Sequence, residues 1–397
     1  MNAPFSAIKI TEDVYWVGAI DWSLRDFHGY ATDRGTTYNA YLILGDDVTL
    51  VDTVKAPFRD EMFARIRSII EPSKIRYIIS NHSEMDHTGC LPEAGAWIRP
   101  ERIFASGNGV KALEAHFHGA VTATPVANGE ELSLGNKTVR FIETKMLHWP
   151  DSMFSYLVED EVLFSQDGFG MHLASTERFD DQIDRGVLLH EAAKYYANIL
   201  LPFAPMVSLA LKKADMLPLK LIAPDHGPVW RRDIDLIVDL YASWAAQRPG
   251  RKAVIVYDTM WGSTGAMAKA IEDGLVAEGV SVKSMRLKEN HRSNVATEML
   301  GAGALVVGSP TLNNQMFPSV ADMLTYLKGL KPKNLVGAVF GSYGWSEAAL
   351  RQLVYAMNDL EIKMVADPLA VQYVPDQEAL MKCHELGRKI AQAIQTL

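Results

Sequence analysis

Apolar positions over the first 246 residues recur in two rhythms. Short β-branched and aromatic runs at 14–19, 40–44 and 48–51 predict strands. A 3.6-residue period predicts a helix over 59–70. The apolar run 75–80 predicts a buried strand, followed by an extended piece at 103–105 and a helix over 109–117. Three further extended runs lie at 139–142, 155–158 and 162–165, separated by turns. A helical block spans 187–217, and Pro202 and Pro205 break it. A short strand at 221–223 and a helix over 234–246 complete this part.

The rhythm then changes. Gln247-Arg248-Pro249-Gly250-Arg251 has no apolar period and reads as a linker. Beyond it, strands at 253–257, 281–285, 304–307, 335–340 and 364–365 alternate with helices at 265–277, 297–301, 320–327, 347–360 and 378–394. Five βα units in about 145 residues predict a doubly wound parallel sheet. The expected organisation is a first domain over 1–248 and a second over 249–397.

Composition narrows the class. The 397 residues are 48% hydrophobic and 22% charged, as in an ordinary globular protein. A formal charge of -9 argues against a nucleic-acid partner. Only Cys90 and Cys383 occur, which excludes a disulfide scaffold and a fused four-cysteine iron site of rubredoxin type. The N-terminus lacks the basic start and apolar run of a signal peptide, and no run of about 18 apolar residues occurs. The expectation is a cytoplasmic protein without a membrane span.

The densest chemistry lies in Asn81-His82-Ser83-Glu84-Met85-Asp86-His87, with four potential metal ligands. If the preceding strand continues, His82, Glu84 and Asp86 alternate onto one side at its exit, and His87 follows. Such a cluster is costly to bury without a cation. The pattern H-x-E-x-D-H resembles the H-x-H-x-D-H motif of the metallo-β-lactamase superfamily, with Glu84 in place of the second histidine. An added carboxylate makes the site harder and more anionic, which suits non-haem iron better than hydrolytic zinc. His148, Asp167 and His226 sit at loop positions downstream, the last two directly after strands. One consistent division gives His82, Glu84 and His148 to one iron and Asp86, His87 and His226 to the other, with Asp167 bridging. His116, His118, His172, His190, His291 and His384 show no partner pattern.

A second constellation follows the strand at 253–257. Asp258-Thr259-Met260-Trp261-Gly262-Ser263-Thr264-Gly265 brings hydroxyls and amides to a helix N-terminus, an anion site. It has neither the Walker lysine nor a dinucleotide glycine fingerprint, so a mononucleotide phosphate fits better. Ser309, Pro310, Thr311, Asn313 and Asn314 follow one later strand, and Ser342, Tyr343, Gly344 and Trp345 follow another. Loops at strand C-termini are where such sheets bind ligands, and three together point to FMN.

These two constellations, in this order, resemble the flavodiiron proteins. The likeness extends over nearly the whole chain, including Arg25-Asp26-Phe27-His28-Gly29-Tyr30, His148-Trp149-Pro150-Asp151-Ser152-Met153 and Tyr195-Tyr196-Ala197-Asn198-Ile199. All seven ligand positions match the family's di-iron set. The resemblance implies an α/β chain: a metallo-β-lactamase-like αββα sandwich followed by a flavodoxin-like doubly wound parallel sheet. It implies two non-haem irons and FMN, and reduction of O₂ to water, NO to N₂O, or both. It implies an external donor such as rubredoxin, a rubredoxin reductase or reduced F420, and a head-to-tail homodimer or a dimer of dimers. His28 and one of Tyr195 and Tyr196 match positions lining the family's substrate pocket, where they would donate a hydrogen bond or proton. The competing expectation is a metal-dependent hydrolase of the lactamase superfamily with an appended flavodoxin-like domain.

Overall fold

A computed structural model of the chain describes residues 5–397. It separates into two compact units. Among the described residues the first comprises 5–28, 32–195 and 203–242, and the second 29–31, 196–202 and 243–397.

The first unit is built on two sheets. One has seven strands, ordered Ile8–Lys9, Val14–Trp16, Tyr41–Ile43, Val48–Val51, Ile75–Ser80, Arg102–Ser106 and Thr124–Val126. The other has five, ordered Glu131–Ser133, Thr138–Glu143, Met153–Leu157, Val162–Gln166 and Leu221–Pro224. Strand residues point alternately to opposite faces, and here both faces are apolar. Leu42, Leu50, Ile78 and Ile103 pack with Met62, Ile66, Leu91 and Ala94 of the helices Arg59–Arg67 and Leu91–Ile98. Their neighbours Tyr41, Val51, Ile79 and Phe104 pack with Val139, Phe141, Leu157 and Phe164 of the second sheet. One register thus serves two cores, as the αββα sandwich requires.

The second unit is a parallel sheet ordered Ser281–Arg286, Lys252–Tyr257, Ala304–Gly308 and Val336–Tyr343, with Lys363–Met364 and Leu369–Gln372 both pairing with the last of these. The order 2-1-3-4-5 is flavodoxin-like. The helices Ser263–Ala277 and Gln377–Ile394 meet at two glycines. A Cβ on Gly274 would run into the His384 carbonyl, and one on Gly387 into the Ile271 carbonyl.

Several elements differ from the sequence expectation. The run 14–19 is two strands in different sheets, Val14–Trp16 and Ala19–Asp21. Gly18 lies between them, where any Cβ would strike the Tyr38 carbonyl. The helical block parts as expected near Pro202, into Arg185–Tyr195 and Ala204–Ala214, with a π turn over Tyr196–Leu200. The helix placed at 297–301 is Arg292–Met299, begun when the His291 ring nitrogen accepts the Ser293 amide. The strand Leu369–Gln372 has no counterpart in the sequence reading. Among the described residues, no helix is long and apolar enough to cross a membrane.

Gly274→Ala and Gly387→Ala should each lower stability by about 1–3 kcal/mol, because backbone cannot yield as a side chain tip can. Urea unfolding of the full chain, followed by circular dichroism, measures this. An unshifted midpoint would rule out the close helix contact.

Candidate metal centre and flavin slot

The strand Ile75–Ser80 ends before the ligand run. His82 and Glu84 lie in the connecting loop, and Asp86 and His87 on the single helical turn Met85–Thr88. The Thr88 hydroxyl donates back to the Ser83 and Glu84 carbonyls, at 3.0 and 2.9 Å, and tightens that turn. Strand alternation therefore does not carry Asp86. The turn separates the run into two halves that join different clusters.

One cluster comprises His82, Glu84, His148 and Asp167, and the other Asp86, His87 and His226. Glu84 Oε2 lies 3.3 Å from His82 Nε2 and 3.2 Å from His148 Nε2. Asp86 lies 3.4 Å from His87 Nε2 through one oxygen and 3.2 Å from His226 Nε2 through the other. Asp167 faces both clusters. Its Oδ2 is 2.9 Å from His148 Nε2 and 3.3 Å from His82 Nε2, and its Oδ1 is 3.3 and 3.5 Å from the Nε2 atoms of His87 and His226.

The strands Val162–Gln166 and Leu221–Pro224 pair in parallel, so Asp167 and His226 emerge side by side. Gln166 donates its side-chain amide to the Leu147 carbonyl and accepts the Asp167 amide at 2.7 Å. It thereby ties the His148 loop to Asp167.

The donor set fits two metal ions. Two histidines hydrogen-bond outer partners through Nδ1, His82 with Asp151 at 3.1 Å and His226 donating to the Thr37 carbonyl at 2.6 Å, while His87 Nδ1 faces the Asp225 carboxylate at 3.5 Å. Such contacts aim Nε2 at a metal. Both Asp86 oxygens, Asp167 Oδ1 and His87 Nε2 are buried without a hydrogen-bond partner, the mark of atoms meant for an ion. Without metal, protons must balance the charge. Burial alone would lower His87, but Asp86 and Asp225 raise its pKa to about 10. Burial would raise Asp167, yet His148 and His87 hold it well below the usual carboxylate range.

His172 was not singled out by the sequence, but its ring lies 4.7 Å from that of His226. Asp151, Asp225 and Thr37 were also missed, because each contacts a ligand far from it in sequence: Asp151 meets His82, Asp225 meets His87 and Thr37 meets His226. His28 places Nε2 3.2 Å from Glu84 Oε1 with most of its side chain exposed. Tyr195 lies with its ring 5.1 Å from His172 and 6.1 Å from His226. Tyr196 packs instead on Trp244, with ring centroids 5.1 Å apart.

In the second unit, a cavity of about 490 Å³ is lined by Met260, Trp261, Ser263, Pro310, Thr311, Asn313, Asn314, Ser342, Tyr343, Gly344 and Trp345, joined by Ser346 and Tyr373. Trp261 and Trp345 are 94% and 89% exposed, so their faces are open to a flat ring. Gly262 caps the helix Ser263–Ala277 with φ 92°, a left-handed conformation glycine adopts freely. The first helical bond runs from the Ala266 amide to the Gly262 carbonyl at 2.8 Å, leaving the Ser263, Thr264 and Gly265 amides for a phosphate. The hydroxyls of Thr259, Thr264 and Ser309 bond within the loops around the slot. Thr259 accepts the Gly262 amide, Thr264 bonds the Ser342 hydroxyl at 2.9 Å, and Ser309 accepts the Phe317 amide at 2.8 Å.

A lactamase-like unit with paired metal clusters, followed by a flavodoxin-like unit, defines a flavin-coupled di-metal oxidoreductase. The pattern of the ODP family beta lactamase matches residues 36–227, and that of flavodoxin residues 255–387. A nitric oxide reductase of Moorella thermoacetica is 46% identical over 393 residues, 98% of both chains. The rubredoxin oxygen:oxidoreductase structure from Desulfovibrio gigas shares 42% identity and a TM-score of 0.96, covering 98% of this chain and 99% of that one. The flavodiiron protein structure from Giardia intestinalis shares 32% identity and a TM-score of 0.94, covering 98% and 97%. The chain belongs to the flavodiiron proteins, whose cofactors are a non-haem di-iron centre and FMN.

Two predictions follow from the centre's electrostatics. Asp151→Ala should weaken one metal's binding by about 10–100-fold, read by competition with a chelator. Unchanged affinity would remove Asp151 from the site. Metal loading should also release protons. His87, held up to about 10 by Asp86 and Asp225, is protonated in the metal-free protein at neutral pH, so metal must displace its proton and affinity should rise with pH. Calorimetry in buffers of different ionisation enthalpy measures the release, and a release of zero would contradict this.

Proposed function

We propose that the chain reduces dioxygen to water, nitric oxide to nitrous oxide, or both. The observation that carries this reading is Asp167, which turns one oxygen to each His/carboxylate cluster in a chain that also has a flavin slot. We assign His82, Glu84 and His148 to one iron, Asp86, His87 and His226 to the other, and Asp167 to both. When bound, a ferrous pair and reduced FMN supply two electrons each, the four needed for O₂ and more than the two needed to couple two NO.

The residues' own part is to hold protons and keep water out. His28 stands at the exposed side of Glu84 and can pass a proton from solvent. Tyr195 is sealed behind His226. Burial first, then the charge of Asp167, raises its pKa well above the usual value, so it stays a hydrogen-bond donor.

The M. thermoacetica relative is named for nitric oxide and the D. gigas structure for oxygen and rubredoxin, which supports both diatomics and a rubredoxin-type donor. Cys90 and Cys383 are both buried, so these residues do not themselves form a four-cysteine iron site of rubredoxin type. The reading divides the chain into a di-iron domain over 1–248 and an FMN domain over 249–397. Family membership favours a head-to-tail pair of chains in the cytoplasm. The hydrolase alternative gives the flavin slot no task.

Asp167→Ala should lower O₂ and NO consumption by more than about 100-fold while FMN stays bound, since it removes the shared ligand. Anaerobically reduced protein of known iron and FMN content, mixed in stopped flow with each gas, tests this. Wild-type turnover in the variant would refute the assignment.

A further inference from the structure

We propose that His172 is a positioning residue for the second cluster, fixing the orientation of His226 through Thr36 and through its own ring. The inference rests on the reading of His226 as an iron ligand.

His172 is fully buried. The Thr36 hydroxyl lies 2.9 Å from His172 Nδ1, 3.3 Å from His226 Nδ1 and 3.1 Å from the Thr37 carbonyl oxygen. That carbonyl is the acceptor of the His226 Nδ1 proton, at 2.6 Å. One hydroxyl therefore touches both imidazoles and the oxygen that orients one of them. The His172 ring adds a packing wall, 4.7 Å from His226 and tilted by 59°.

The backbone holds this pair together. The Met171 amide donates to the His226 carbonyl at 3.3 Å. Gly227 has φ +79°, and a Cβ there would come within 2.6 Å of Met171 Cγ, so the two segments lie directly against each other. A packing role alone does not account for the residue. Phenylalanine or leucine would fill the space without the cost of burying a polar ring. Among what histidine adds is the bond to Thr36.

His172 has ring contacts with Phe27, Tyr195 and His226. His82, which holds the other cluster, rests on Asp151 instead. Loss of His172 should therefore be felt at one metal and not at both.

The test compares His172→Phe, which keeps the ring volume, with His172→Asn, whose amide can replace Nδ1, and with Thr36→Val, which removes the hydroxyl. The readouts are iron content, chelator competition and the Mössbauer spectrum of iron-57-loaded protein, with FMN content as the check on folding. His172→Phe and Thr36→Val should each weaken one of the two irons by about 10–100-fold, and His172→Asn should stay within about threefold of wild type. The double variant should be no worse than either single one, because both remove the same contact. Wild-type affinity for both irons in His172→Phe, or equal loss of both, would overturn the proposal. Should His172→Phe fail to fold, Thr36→Val decides alone. His226→Ala separates this inference from the reading beneath it. If that variant still binds two irons as wild type does, the di-iron assignment fails. If it loses one iron while His172→Phe and Thr36→Val lose none, only the role of His172 fails.

Discussion

The structure depends on keeping charge out of water. Glu84, Asp86 and Asp167 are buried beside His82, His87 and His226, with His148 only partly exposed. Asp151 and Asp225 lie buried directly behind. Removing an ion from water costs several kcal/mol even after relaxation, and like charges in one cavity add to that. Protons on histidine offset part of it in the metal-free chain. Two divalent ions offset it more completely, bringing four positive charges against the three carboxylates of the ligand set. The sandwich is organised to hold this cluster closed.

Its means is the strand end. His82 and Glu84 leave one central strand, Asp167 and His226 leave two adjacent parallel strands, and His148 lies between the strands Thr138–Glu143 and Met153–Leu157. The strands are pinned by apolar side chains on both faces, so their exits have little freedom. The loops then need only short local ties, such as Thr88 on the Ser83 carbonyl and Gln166 on the Leu147 carbonyl. The second unit uses the same principle. Its slot is built from the loops after Tyr257, Gly308 and Tyr343, at the C-terminal ends of parallel strands.

What was legible in the sequence follows from this. Chemistry concentrated in a few consecutive residues, or set directly after a strand, leaves a local trace. The His82–His87 run, Asp167, His226 and the flavin loops all do so. Partners brought together from afar leave none. Thr36 and His172 are 136 residues apart, and His82 and Asp151 are 69 apart. The alternation expected through Asp86 failed because hydrogen bonds close a helical turn where an extended strand was assumed. The strand Leu369–Gln372 was overlooked because it is only half-buried and so has little apolar pattern. Thr264 and Ser309 were read as ligand contacts, and their hydroxyls also tie the loops together, Thr264 to Ser342 and Ser309 to the Phe317 amide. A hydroxyl in a loop serves the loop as readily as a ligand.

The replacement that separates this centre from the hydrolytic motif has a geometric meaning beyond its preference for iron. A histidine at position 84 would present one nitrogen to the cluster. Glu84 presents two oxygens with different tasks. Oε2 stands between His82 and His148, while Oε1 reaches His28 at 3.2 Å. His28 is held at φ 54°, a left-handed conformation uncommon for residues other than glycine, so its position is enforced by its surroundings. One carboxylate thus joins the interior of the metal centre to the solvent-facing imidazole. Because both contacts belong to one rigid group, a shift of Glu84 against His82 and His148 is also a shift of its contact with His28.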